Sequence, residues 1–297
     1  MIIIQTKSQK DLLQKFAGKG VCCDSTHNTT GYDFLLMTLL VVDEFGEGQP
    51  VAWCLANHET EEFLKIFFKY IREQVGRMTP QWFMSDIAPQ FYEAFCTVNE
   101  YRPRKLMCTW HVDKAWKEEL RKKVKNTEVE AGVYKLLRTV LEQTDEKLFD
   151  AHLSSLVSRL QSSVTDEFRT YFLKYWVNNK REWGYCFRVG DGINTNMFVE
   201  AFHKTFKYSY LKGKFNKRVD TVLVNLLKFS RDKTFGRLIK MTKGKSTQRI
   251  RMLHERHLAS MKLPFNYITP KEDNTYMISN LKMEKEYIQL LNSVTHA

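Results

Sequence analysis

Residues 20–57 read GVCCDSTHNTTGYDFLLMTLLVVDEFGEGQPVAWCLAN. Three apolar runs stand out: 20–25 (GVCCDS), 33–43 (DFLLMTLLVVD) and 50–56 (PVAWCLA), with the turn-forming FGEGQ before the last. Short apolar runs punctuated by Gly- and Asp-bearing turns predict three consecutive strands of an antiparallel meander. The first run ends in Asp24, with Ser25, Thr26 and His27 following at once. A buried strand that delivers a carboxylate at its tip holds it rigidly, but a lone carboxylate does little chemistry, so its partners must come from elsewhere in the chain.

The period then changes. In HETEEFLKIFFKYIREQVG (58–76), Phe63, Ile66, Phe67, Tyr70 and Ile71 recur at helical spacing behind Glu59, Glu61 and Glu62, and Gly76 stands where a helix should stop. QWFMSD (81–86) predicts a short strand ending in Asp86, followed by a helix over 89–99 and another strand, RKLMCTWHV, over 104–112. Three strands, a helix, a strand, a helix and a strand predict a mixed five-stranded α/β sheet with helical crossovers. Ligands of such sheets bind at the C-terminal ends of strands, where Asp24 and Asp86 both fall.

Residues 113–188 are charged and amphipathic and predict several helices; the aromatics of FRTYFLKYWVNNKREWGY are read as core of that region in preference to a base-stacking platform. After the loop RVGDGINTN, where Asn194, Thr195 or Asn196 is placed to cap, MFVEAFHKTFKYSYL (197–211) predicts a helix. Phe198, Phe202, Phe206 and Tyr210 make its buried stripe, and Glu200, His203 and Lys207 line a neighbouring face.

Charge is unevenly distributed. The net charge is +12, but residues 201–256 hold sixteen Lys and Arg against Asp220, Asp232 and Glu255, a balance of +13 that leaves −1 for the rest. Such clustering is the electrostatic footprint of a polyanion-binding surface. Six cysteines (Cys22, Cys23, Cys54, Cys96, Cys108, Cys186) without repeated spacing predict reduced, buried thiols, and no apolar run reaches the length of a membrane span. The sequence predicts a soluble, intracellular protein with no membrane partner.

Two carboxylates at neighbouring strand ends and a third on a later helix are what a two-metal phosphoryl-transfer site requires, because hard divalent cations select oxygen ligands. Four pieces, DSTHNTTGYDFLL, FMSDIAPQFYEAF, CTWH and NTNMFVEAFHKTFK, resemble the transposase domain of Mutator-like elements, a branch of the RNase H-like DDE superfamily, over about residues 10–260. The resemblance implies an RNase H-like fold, an all-helical insertion before the last catalytic helix, and Asp24, Asp86 and Glu200 as catalytic ligands of two Mg²⁺ (or Mn²⁺) ions. Their separations, 62 and 114 residues, suit an inserted helical region. The organisation implied is a first part of the catalytic core over 1–112, the insertion over 113–190, the catalytic helix with a basic DNA-contacting segment over 191–260, and a tail over 261–297 that would lead to a SWIM zinc finger.

By the same resemblance the activity is cleavage and strand transfer at transposon ends, on double-stranded DNA and target DNA, in the nucleus, by a homo-oligomer. A domesticated or fragmentary descendant that binds DNA without catalysis is the alternative, and a nuclease acting on RNA in a hybrid is a third reading. Cys108 and His111 match the C-x-x-H motif of the family; two ligands cannot complete a tetrahedral zinc site, so packing or a DNA-facing role is expected of them. His203 is placed to orient Glu200 or touch a phosphate, and Lys204, Lys207, Lys212, Lys214, Lys217 and Arg218 are the expected DNA contacts.

Overall fold

The computed structural model describes residues 1–214, 217–244 and 248–262, and three short strands beyond them. The chain divides into two compact units, Met1–Met241 and Thr242–Ala297.

The first unit opens with an edge strand, β1 (Ile2–Ile4), and α1 (Lys7–Phe16), whose start is fixed by a reciprocal capping box between Thr6 and Gln9. The meander follows as β2 (Gly20–Thr26), β3 (Leu35–Val42) and β4 (Gly48–Ala56), then α2 (Glu61–Val75), β5 (Trp82–Ser85), α3 (Pro89–Asn99) and β6 (Arg104–Met107). The sheet order is β1-β4-β3-β2-β5-β6. The pairs from β1 to β2 are antiparallel, and β2, β5 and β6 run parallel. The five expected strands are all present. The sixth, β1, escapes the sequence pattern because three residues at a sheet edge carry no periodicity. β6 stops at Met107, and the residues expected to extend it to 112 instead open a helix.

Both faces of the sheet are covered, so β3 (LLMTLLVV) is a nearly continuous apolar run with no alternation. One face buries Val21, Cys23, Leu39, Val51 and Phe83 against Leu13 of α1, Phe67 and Phe68 of α2 and Phe95 of α3. The other buries Cys22, Leu40, Trp82, Met84, Leu36 and Trp53 under α9 (Met197–Thr205) and α10 (Val219–Thr242).

Between β6 and α9 lie α4 (Thr109–Lys123), α5 (Thr127–Leu141), α6 (Glu146–Arg159), α7 (Asp166–Phe172), which continues as a π-helical turn over Leu173–Val177, and the short α8 (Lys180–Trp183). They have their own core. Trp116, Phe149, Phe168, Phe172, Trp176 and Trp183 are buried together, with Trp116 meeting Trp183 edge to face at 5.1 Å. These aromatics are packing residues, as their helical spacing suggests.

The second unit contains α11 (Gln248–Ser260) and a three-stranded antiparallel sheet of β7 (Ile268–Pro270), β8 (Thr275–Ile278) and β9 (Tyr287–Leu290). Apart from residues 261 and 262 and these strands, the tail expected over 261–297 lies outside the described residues. No helix among the described residues is long and apolar enough to cross a membrane.

Gly48, at the start of β4, lets α9 approach closely: a Cβ there would stand 2.7 Å from Phe198 Cβ, two residues before Glu200. Replacing Gly48 by Ala should therefore push α9 off the sheet and cost about 1–3 kcal/mol. Gly18→Ala, whose added carbon would meet nothing within 4 Å, should stay within about 1 kcal/mol of the parent. Urea denaturation of both variants measures the difference, and equal midpoints would contradict the packing account.

Candidate active site

Register brings the acids together. Cys22 of β2 pairs with Met84 of β5, and Met84 pairs with Leu106 of β6, all parallel. Side chains alternate between faces with a period of two, so the next residues on that face are Asp24, Asp86 and Cys108. The Cys108 N–H donates to the Ser85 carbonyl at 3.1 Å, which carries the ladder one step past β6. The three side chains thus form a row across the strand ends, on the α9 side of the sheet.

Asp24 Oδ1 accepts from the Ser25 N–H at 2.9 Å and Asp86 Oδ1 from the Ala88 N–H at 3.1 Å. Those bonds stabilise the charged carboxylates but are outweighed. Burial, then the neighbouring Asp86 charge, pushes the Asp24 carboxyl up to about 7, and Glu200 and Glu59 add to the rise. Burial likewise pushes Asp86 up to about 6, again with Glu59 contributing and Lys105 opposing. Glu59 is the acid that sequence reading did not place here. It sits in the loop before α2, and the Ser25 hydroxyl donates to its Oε2. Its only sequence signal is proximity to the strand end after β4, which the more obvious N-terminal acids of α2 mask.

Glu200 stands in the first turn of α9, half-buried. Asn196 occupies the N-cap through its backbone alone: its carbonyl accepts from the Val199 and Glu200 N–H groups at 3.0 and 3.1 Å. What places this helix is Arg188. Its guanidinium is buried and donates to the carbonyls of Met107 (2.9 Å), Asn194 (3.1 Å) and Glu182. The Asn194 carbonyl also accepts from the Thr109 N–H at 3.3 Å and the Thr109 hydroxyl at 3.0 Å. The loop leading into α9 is thereby tied to the junction of β6 and α4.

As a result Glu200 meets a different pair from the one expected. Among the described residues, the one set of three metal-ligating side chains whose ligand atoms all lie within 4.8 Å of one another is Cys108, His111 and Glu200. The Cys108 thiol donates to Glu200 Oε1 at 3.9 Å. Burial raises the Glu200 carboxyl, and the thiol pulls it back down. Cys108 is the N-cap of α4 and His111 lies in its first turn, on a helix and not on the last strand.

His203 is corrected as well. It is buried, its Nε2 lies 3.1 Å from the Thr38 hydroxyl of β3, and burial, with the nearby Lys207 charge, pushes its ring down to about 3. Lys207 donates to the Thr26 hydroxyl at 2.6 Å, at the end of β2. Arg218 pairs with Asp220 at 2.9 Å. Lys204, Lys212 and Lys214 are exposed, and Lys217 is half-buried with its carbonyl taken by the Gly31 N–H. His27 is exposed in the bend after β2.

Residues 1–93 match the family model described as the RNaseH-like domain of zinc finger SWIM domain-containing protein 1/3. The match supports an RNase H-like fold. It spans β1 to the first half of α3, includes Asp24 and Asp86, and ends before Cys108 and Glu200. No curated protein matches the chain.

The acids of this RNase H-like sheet set a pH dependence. Their folded values lie above those of unfolded carboxylates, so between about pH 4 and pH 7 these two carboxyls hold more protons in the folded chain than in the unfolded one, while buried His203, pushed down to about 3, works in the opposite direction. The carboxyls' stabilising contribution is complete below the unfolded value and is lost as pH rises through the folded one. In chelator, Asp24→Asn, a neutral isostere, should gain on the parent as pH rises from 4 to 7.5 and exceed it at pH 7.5 by about 2 kcal/mol, as read by urea unfolding of both at each pH.

Proposed function

We propose that the Met1–Met241 unit is a DNA transposase-type nuclease core related to Mutator-like transposases. In this reading Asp24, Asp86 and Glu200 hold two Mg²⁺ or Mn²⁺ ions for phosphodiester cleavage and strand transfer. The observation that carries the reading is the pair of half-buried carboxylates, Asp24 and Asp86, that the parallel register of β2 and β5 sets side by side at adjacent strand ends, where burial and neighbouring acids push both upward. A hard divalent cation is the group that relieves this arrangement, and all three acids offer the oxygen donors it selects. When bound there, such ions polarise the attacking and leaving oxygens of an in-line displacement.

The protein's own residues do the rest. The sheet fixes Asp24 and Asp86 in register, the Ser25 and Ala88 N–H groups orient their carboxylates, and α9, packed on the same face, brings Glu200. Lys204, Lys212 and Lys214, exposed on or just past the helix that carries Glu200, are the cations that would hold the phosphate backbone of double-stranded DNA. Transposon ends and target DNA as substrates, a homo-oligomer on paired ends, and a nuclear location belong to this proposal through the family resemblance.

One observation favours a second reading, a DNA-binding descendant without catalysis: the Glu200 carboxylate is hydrogen-bonded by Cys108 and grouped with His111 instead of lying in one tight cluster with both aspartates.

Plasmid nicking separates the two. The purified chain should nick supercoiled plasmid with Mg²⁺ or Mn²⁺, Asp86→Ala should lose at least about 10²-fold in rate, and DNA binding should persist in both. Binding with no metal-dependent nicking in either protein would favour the second reading. Charge reversal of Lys204, Lys212 and Lys214 to Glu should weaken DNA binding and lower the slope of log K against log salt by about 0.9 for each lost phosphate contact. An unchanged slope, read by fluorescence anisotropy across a salt series, would remove these lysines from the interface.

A further inference from the structure

We propose that Cys108, His111 and Glu200 form a binding site for one zinc-class divalent cation, beside the aspartate pair and sharing Glu200 with it. The sharing rests on the reading of Asp24, Asp86 and Glu200 given above; the site itself does not.

Geometry comes first. With zinc bonds of about 2.0–2.3 Å, the edges of a tetrahedral site are about 3.3–3.8 Å long. The Cys108 sulfur and Glu200 Oε1 stand 3.9 Å apart, long for a hydrogen bond and close to such an edge. The ligand atom of His111 lies within 4.8 Å of both. Cys108 is the N-cap of α4 and His111 the third residue of its first turn, a spacing that sets the two side chains on one side of the helix start.

The surroundings are those of a ligand shell. The Asn196 N–H donates to the Cys108 sulfur at 3.3 Å, a bond that favours the thiolate. His111 Nδ1 is buried without a hydrogen-bond partner among the described residues. So are both polar atoms of the fully buried Asn196 side chain. Buried polar atoms are nearly always satisfied, and an unpartnered imidazole nitrogen on the residue grouped with Cys108 and Glu200 points to a missing ligand. The exposed Trp110 packs edge to face on His111, with ring centroids 4.8 Å apart.

The donor set selects the metal. Sulfur and imidazole nitrogen suit zinc and are poor ligands for Mg²⁺, whereas the two aspartates offer oxygen alone. Three protein ligands leave a fourth position for water. Binding displaces the thiol proton to solvent, so no oxidant or reductant is needed. Because Glu200 is common to both sites, a zinc ion here withdraws it from the aspartate pair, and zinc opposes the Mg²⁺-dependent reaction.

Cobalt titration of the full chain tests the site. Co²⁺ should give a thiolate-to-metal charge-transfer absorption that saturates at one equivalent and disappears on adding Zn²⁺. Cys108→Ala should abolish it. His111→Ala and Glu200→Gln should each weaken binding at least about tenfold, and the Asp24→Asn/Asp86→Asn double variant should keep it; circular dichroism checks that each variant is folded. Absence of the band, its survival in Cys108→Ala, or indifference to both His111→Ala and Glu200→Gln would overturn the site. Zn²⁺ at the concentration that fills the site should lower Mg²⁺-dependent nicking at least about tenfold, and undiminished nicking would overturn the antagonism. If the chain nicks no DNA at all, the nuclease reading fails while the cobalt result still decides the zinc site.

Discussion

The parallel register of β2, β5 and β6 is the constraint on which the site depends. A strand pairs with its neighbour through fixed backbone hydrogen bonds, and a slip of one residue would turn every side chain to the opposite face. Here a slip would drive Cys22, Met84 and Leu106 out of the α9 face and take Asp24, Asp86 and Cys108 with them. The apolar residues that build the core therefore also hold the chemical row in place. Burial of those residues sets the register, and the register aims the acids.

The acids are costly to the fold. Each carboxylate of the row is buried enough to resist ionisation, and the hydrogen bonds from Ser25 and Ala88 offset only part of that. A site whose native state favours protons is one in which a divalent cation both competes with protons and stabilises the fold. On the proposed reading, a cation held there would link occupancy to stability through Asp24, Asp86 and Glu200, with Glu59 beside them.

Much of this was legible in the sequence. The meander over 20–57, the strand ending in Asp86 and the helix carrying Glu200 follow from period and punctuation, which are local properties. The parts that sequence reading missed are relational. Whether His203 faces solvent or β3 depends on which side of α9 meets Thr38, and whether His111 rides a strand or a helix depends on where β6 runs out of a partner at Ser85. Glu59 joins the site through a hydrogen bond from Ser25, 34 residues away in sequence. The basic segment was legible as a charge excess but not in its division of labour. Arg237 and Lys240 pair with Glu44 and Glu47 of the β3–β4 turn and anchor α10, so part of the charge is structural.

Arg188 has a consequence for how the helical region over 109–183 relates to the sheet. Its guanidinium joins the last residues of the helical region to the end of β6 through carbonyl groups alone, which any side-chain sequence supplies. Burial lowers its ionisation only to about 10, so the clamp stays charged across the whole range in which the aspartates titrate. The path from Thr109 to Glu182 leaves and returns at the same joint. Helices could be added to or removed from that excursion without moving Glu200, provided the arginine still reaches Met107 and Asn194. The spacing between the second and third acids is then a free variable, and the joint is what a lineage with this architecture must keep.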